Sequence, residues 1–125
     1  MKADERDIKE SIDILETVAK KFESGEYVWG KGNYRNSEGK MCMMGAIYFE
    51  SRARESNGAD RFDSTNLKVE ATDILWKTFR ETKPKNGLSL TGITLTMWND
   101  DPSRRKRDVI RLLRKAVKDA KATQA

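Results

Sequence analysis

Apolar residues recur along most of this chain at intervals of three and four, the spacing that gathers them on one face of an α-helix. Ile8, Ile12, Leu15, Ala19 and Phe22 are four, three, four and three apart, and Ile14 and Val18 widen the stripe. A first helix is therefore expected from about Glu5 to Phe22, with Gly25 placed for a left-handed C-cap. A second is expected from about Met41 to Glu55, with Cys42, Gly45, Ala46, Phe49 and Ala53 on its inner face. Leu67, Ala71, Ile74, Leu75 and Phe79 define a third, which starts at Ser64 or Thr65 as N-cap and cannot pass Pro84. Val109, Leu112, Leu113, Ala116, Val117 and Ala120 define the last, with Asp101 as its cap and Pro102 at its first helical position.

Residues 88–98 read differently. Leu88, Leu90, Ile93, Leu95 and Met97 alternate with serine and threonine like a half-buried strand, whose one available partner is Tyr27-Val28-Trp29. A short helix from Thr91 to Trp98 is the preferred reading, since a lone strand leaves its hydrogen bonds unmade. The expected architecture is all-α: a single small domain of four to five helices over residues 1–125, ordered from about 5 to 120. It leaves room for a minor β-hairpin near Val28 and Leu95.

The side-chain inventory narrows the chemistry more than the fold. With no histidine, the commonest general base and transition-metal ligand is missing, and Ser-His-Asp and Cys-His catalysis are excluded. Cys42 stands alone, so no intrachain disulfide can form and a zinc site of ordinary type is nearly ruled out. No catalytic residue, metal ligand or cofactor is assigned. No apolar run approaches the roughly 20 residues that span a bilayer, and Met1 to Asp7 lack the apolar stretch of a signal peptide. The expectation is a cytoplasmic protein without membrane contact.

Charge is distributed unevenly. Residues 1–56 carry 10 basic and 11 acidic side chains, and residues 57–102 carry 6 and 7, so each segment is −1. Residues 103–125 carry 9 and 2, or +7, which exceeds the net +5 of the whole chain. Arg104, Arg107, Arg111, Arg114, Lys115, Lys118 and Lys121 lie opposite the apolar stripe of the last helix. Such a face meets nucleic-acid phosphates, meets an acidic protein of the host, or is simply solvated. It lacks the Asn and Gln of a base-reading helix, which argues against sequence-specific readout. The partner's identity and the oligomeric state are open.

The stretch Tyr27 to Lys40 holds three glycines, two asparagines and three aromatics, and loops of this kind on a rigid scaffold often carry function. Gly30-Lys31-Gly32 has the spacing of neither a P-loop nor a dinucleotide fingerprint, and Asp60, Asp63, Asp100 and Asp101 lack that of a calcium loop. Trp29, Tyr34, Cys42, Trp98, Asn99 and Asp100 are candidates for a pocket, with Cys42 near a helix start and beside Lys40 as nucleophile or ligand contact. The competing reading, which is favoured, buries Cys42 and Trp98 and has Asn99 and Asp100 bond backbone N–H groups of the last helix.

Two blocks stand in order: Trp29-Gly30-Lys31-Gly32 followed by Gly39-Lys40-Met41-Cys42-Met43-Met44-Gly45-Ala46-Ile47, and Trp98-Asn99-Asp100 followed by Asp108-Val109-Ile110-Arg111-Leu112-Leu113-Arg114-Lys115-Ala116. Together they resemble a family of small actinobacterial and actinophage proteins classed as a domain of unknown function, over most of the chain from Ile8 to Val117. The resemblance implies a common fold and a phage or accessory-gene origin, and no activity. Arg105 departs from the family's Thr N-cap before the last helix, which moves the expected cap to Asp101 or Ser103.

Overall fold

The computed structural model describes residues 5–32, 38–57, 64–82 and 91–124. Helices α1 (Glu5–Ser24), α3 (Ser64–Thr82) and α5 (Lys106–Gln124) pack on one another pairwise and form the centre of the core. Helix α2 (Met43–Asn57) lies against α3 and α1, and α4 (Thr91–Asp100) bridges α2 and α3. Every helix contributes to one apolar cluster: Ile14, Leu15, Val18 and Phe22 from α1, Met43 and Ile47 from α2, Leu75 from α3, Leu95 from α4, Val109 and Leu113 from α5. Each such side chain contributes about 1.5–3 kcal/mol on leaving water, which is what holds short helices that are marginal in isolation. Among the described residues no helix is long and apolar enough to cross a membrane.

The short helix expected over 91–98 is present and runs to Asp100, with Leu95 fully buried. The hairpin is not. Strand β1 (Val28–Trp29) pairs with β2 (Lys40–Met41), and the pair is parallel, in the register Val28 to Lys40 and Trp29 to Met41. Leu95 takes no part because α4 claims it for the core. Residues 33–37, between the two strands, lie outside the described residues.

Two further expectations are corrected. The inner face of α2 holds at Cys42, Gly45 and Ala46, which are buried, but fails further along: Phe49 is 40% exposed and Ala53 faces solvent, while Ile47, Glu50 and Ser51 are buried in their place. Two polar residues on that face hide its period. Met41, Met43 and Met44 are all buried, so the methionines fill the core. The last helix begins at Lys106, not at Pro102. Arg105 remains the N-cap position, and its N–H donates to Asp108 Oδ2 at 2.9 Å. That is half a capping box, kept without the Ser or Thr. Asp101 instead closes the turn before it, accepting from Ser103 N–H at 2.9 Å and Ser103 Oγ at 2.7 Å.

Candidate functional site

The Trp29 segment can lie close to the Lys40–Met41 strand because the backbone at Gly30 carries no side chain. A Cβ there would stand 2.9 Å from Lys40 Cβ on the paired strand. Gly30→Ala is expected to cost about 1–3 kcal/mol by forcing the strands apart, measurable by urea unfolding.

Asn99 organises what lies beneath. Its side chain is fully buried, and Oδ1 accepts from Trp29 Nε1 at 2.6 Å and from Met43 N–H at 3.1 Å. Nδ2 donates to Gly30 O at 3.1 Å and to Asp100 Oδ1 at 3.0 Å. Both donors and both acceptor positions of the amide are thus in use. Asp100 Oδ1 also accepts from Gly32 N–H at 2.9 Å, and Lys31 Nζ donates to Asp101 O at 2.6 Å and Pro102 O at 3.2 Å. A cation on carbonyls just past a helix C-terminus suits the dipole. The W-x-x-G and W-N-D motifs are therefore two halves of one latch. Asn99 and Asp100 bond N–H groups of α2 and the Trp29 loop, not those of the last helix.

Cys42 caps α2. Its carbonyl accepts from Ala46 N–H at 3.0 Å and its Sγ from Gly45 N–H at 3.3 Å, with the residue 1% exposed. Burial pushes the thiol above its ordinary pKa, and the Asp100 charge adds to this; backbone N–H groups offset it only in part. A buried, protonated thiol is a poor nucleophile. Native Cys42 is expected to resist a disulfide reagent that modifies it readily in denaturant; equal rates in both conditions would contradict this burial.

The Trp98 side chain, turned about 100° from Asn99 by one helical residue, meets Phe79 and Arg104 and takes no hydrogen bond in the Asn99 latch among the described residues. It packs edge-on to Phe79 at 5.9 Å, with the Arg104 guanidinium 3.9 Å from its ring centre and Arg104 Nε donating to Trp98 O at 2.8 Å. Arg104 is thus half-buried on an indole. Tyr34 lies outside the described residues.

The remaining basic residues do form one outward face. Arg107, Arg111, Arg114, Lys115, Lys118 and Lys121 are all exposed. Arg114 pairs with Glu23 and Lys121 with Glu16, both across to α1, and Lys115 pairs with Asp119 one turn along. Exposed pairs of this kind contribute less than about 1 kcal/mol each and yield readily to a competing anion. Arg107, Arg111 and Lys118 make no ion pair or hydrogen bond among the described residues. Asp108 sits among them with its carboxyl below the ordinary range, held there by the Arg105 N–H and then by Arg104, Arg107 and Arg111.

One constellation escapes sequence reasoning. Glu50 is 6% exposed; its Oε1 accepts from Tyr27 Oη at 2.6 Å and Lys21 Nζ at 3.2 Å, and its Oε2 from Arg54 Nε at 3.1 Å. Arg54 extends the network to Glu10 at 2.9 Å, Asp13 at 2.8 Å and Thr17 at 2.9 Å. The only local signal is the i, i+4 pair Glu50–Arg54, which on its own reads as a solvated helix face. Among the described residues no three Cys, Asp or Glu side chains gather as metal ligands.

Among the described residues five helices on one apolar cluster, with the Trp29 loop latched to the end of α4, define a small all-α fold with a cationic outer helix. Residues 9–119 match the model of a family described as Family of unknown function (DUF6197), and the chain belongs to that family. No curated protein and no solved structure matches the chain.

Proposed function

We propose that this chain is a small non-enzymatic binding module that holds an acidic macromolecule along the outward face of α5. The observation that carries the reading is the row Arg107, Arg111 and Lys118, unpaired among the described residues, flanked by Arg114, Lys115 and Lys121 in weak exposed pairs. A 19-residue helix is about 28 Å long, so the row meets several charges of a polymer at once. A site around Cys42 has less support, since hydrogen bonds within the fold already use the groups that would greet a ligand there. The motif resemblance supports a phage or accessory-gene origin, with the partner in the host; phage-type neighbouring genes are the expected finding.

The test is titration of the whole chain with labelled single-stranded DNA, heparin oligosaccharide and polyglutamate at about 50 and 200 mM salt. A strand contacting five phosphates releases counterions with a slope of about −0.7 per phosphate, so affinity is expected to fall roughly a hundredfold between these salts. The triple variant Arg107→Glu, Arg111→Glu and Lys118→Glu is expected to abolish binding while leaving the fold intact. Binding of polyglutamate alone would favour an acidic protein as partner. Failure to bind any of the three at the lower salt would sink the proposal.

A further inference from the structure

Between α3, the end of α4 and the first half of α5 the surface dips into an open cleft of about 220 Å³. Its apolar floor is Phe79, Trp98 and Leu112, and its rim carries Arg104, Arg111 and Lys115. One carboxylate, Asp108, also faces it, and that group is already engaged by the Arg105 N–H. Three cations against one lining acid leave the cleft positive, with Lys115 shared with Asp119 at 3.3 Å. An aromatic row leads into it: Trp76 stacks on Phe79 at 5.6 Å, Phe79 meets Trp98 edge-on at 5.9 Å, and the planar Arg104 guanidinium caps the Trp98 ring at 3.9 Å. Phe79 and Trp98 stand 19 positions apart in the sequence and Trp76 and Arg104 stand 28 apart, and the fold brings them together.

The occupant that fits is flat, apolar on its faces and flanked by negative charge. Sites for free small molecules usually enclose about 300–1,000 Å³, so this shallower cleft suits one ring of a longer chain. Indole faces and guanidinium planes are stacking surfaces for nucleobases, tolerant of base identity because every base has a π-face. Among the described residues no Asn or Gln lines the cleft, so the amides that pair with an adenine edge are missing there. The same rim residues Arg111 and Lys115 belong to the α5 row, so a strand seated here continues over Arg107 and Lys118.

We propose that this cleft seats one base of a single-stranded nucleic acid against Trp98 and Arg104, with the neighbouring phosphates on Arg111 and Lys115. The proposal rests on the polyanion reading of α5 and adds its partner class: an unpaired strand, without base preference.

The experiment compares three probes on the whole wild-type chain at about 50 mM salt: a twelve-residue oligothymidylate, an abasic strand of the same length and phosphate number, and a twelve-pair duplex. The thymidylate is expected to bind at least about tenfold tighter than the abasic strand, and to quench tryptophan emission where the abasic strand does not. The duplex, whose bases are already stacked, is expected to bind no better than the abasic strand. Trp98→Leu is expected to erase the difference between thymidylate and abasic strand; because Trp98 also packs on Phe79, its unfolding curve is recorded alongside. The comparison among probes on the wild-type chain does not depend on that variant. Equal affinity for the thymidylate and abasic strands overturns the base cleft and leaves the polyanion reading standing. Duplex binding tighter than single-strand binding overturns it likewise. Binding of polyglutamate but of no nucleic acid overturns it in favour of an acidic protein, and binding of none of these removes both readings.

Discussion

Asn99→Ala is expected to lower the unfolding free energy by about 3–5 kcal/mol and the melting temperature by roughly 10–20 °C. The substitution removes one side chain and strands three partners. Met43 N–H is an orphan donor at the start of α2, Trp29 Nε1 points at Oδ1 from 2.6 Å, and Gly30 O accepts from Nδ2 at 3.1 Å. Each buried group left unpaired costs about 1–3 kcal/mol, so the sum is a large share of the 5–15 kcal/mol that holds a domain of this size folded. Asn99→Asp is expected to be nearly as damaging, because it turns the Nδ2 donor into an acceptor facing Gly30 O and sets a second carboxylate against Asp100. Asp100→Asn keeps an acceptor for Gly32 N–H and is expected to cost about 1 kcal/mol or less. Urea unfolding with the slope held free checks the series. If Asn99→Ala costs under about 1 kcal/mol, Asn99 is not the hub that its hydrogen bonds describe.

Glu50→Ala is the second substitution with a large expected effect, about 3 kcal/mol, at the lower end of what breaking a buried ion pair costs. It stays at that end because Arg54 keeps Glu10 and Asp13, and Lys21 keeps Glu26 at 3.6 Å. The sign of the pH dependence follows from the same contacts. Burial alone would push the Glu50 carboxyl up, but the hydrogen bonds from Tyr27, Lys21 and Arg54 outweigh it and hold the group below its ordinary 4.5. A carboxyl held down in the folded chain adds stability above its unfolded pKa and loses it as pH falls through the folded value. Stability is therefore expected to drop below about pH 4.5, and the Glu50→Ala variant to show a shallower drop there than the wild type. On the alkaline side burial and the Glu50 contact raise the Tyr27 hydroxyl, so folding is expected to weaken as pH rises past the ordinary 10.0 of the phenol. Thermal melts of wild type, Glu50→Ala and Tyr27→Phe between pH 3 and 11 measure both arms. An acid limb unchanged in Glu50→Ala would remove Glu50 as its source.

Much of the fold is legible in the order of residues. The stripes at Ile8 to Phe22 and Val109 to Ala120 lie on α1 and α5, the helices of the central core, and Gly25 adopts the left-handed φ of 87° that its position after α1 requires. The candidate site is legible only as a set of parts. Trp29 and Asn99 stand out as motif residues, yet nothing local says that they bond each other across 70 positions. Glu50 looks like any surface glutamate until Tyr27, Lys21 and Arg54 surround it. Arg104 counts as one more cation of the basic face until Trp98 lies under it.

Helix positions, their breakers and the cationic end of the chain follow from the sequence alone, because periodicity, capping and net charge are properties of neighbours within a turn or two. The parallel pairing of Val28–Trp29 with Lys40–Met41, the burial of Glu50, and the meeting of Phe79, Trp98, Arg104 and Arg111 in one cleft belong to the tertiary structure. Their physical cause is the same in each case. Desolvation and hydrogen-bond partnership depend on which distant groups displace water from a side chain, and those groups arrive only when the helices pack.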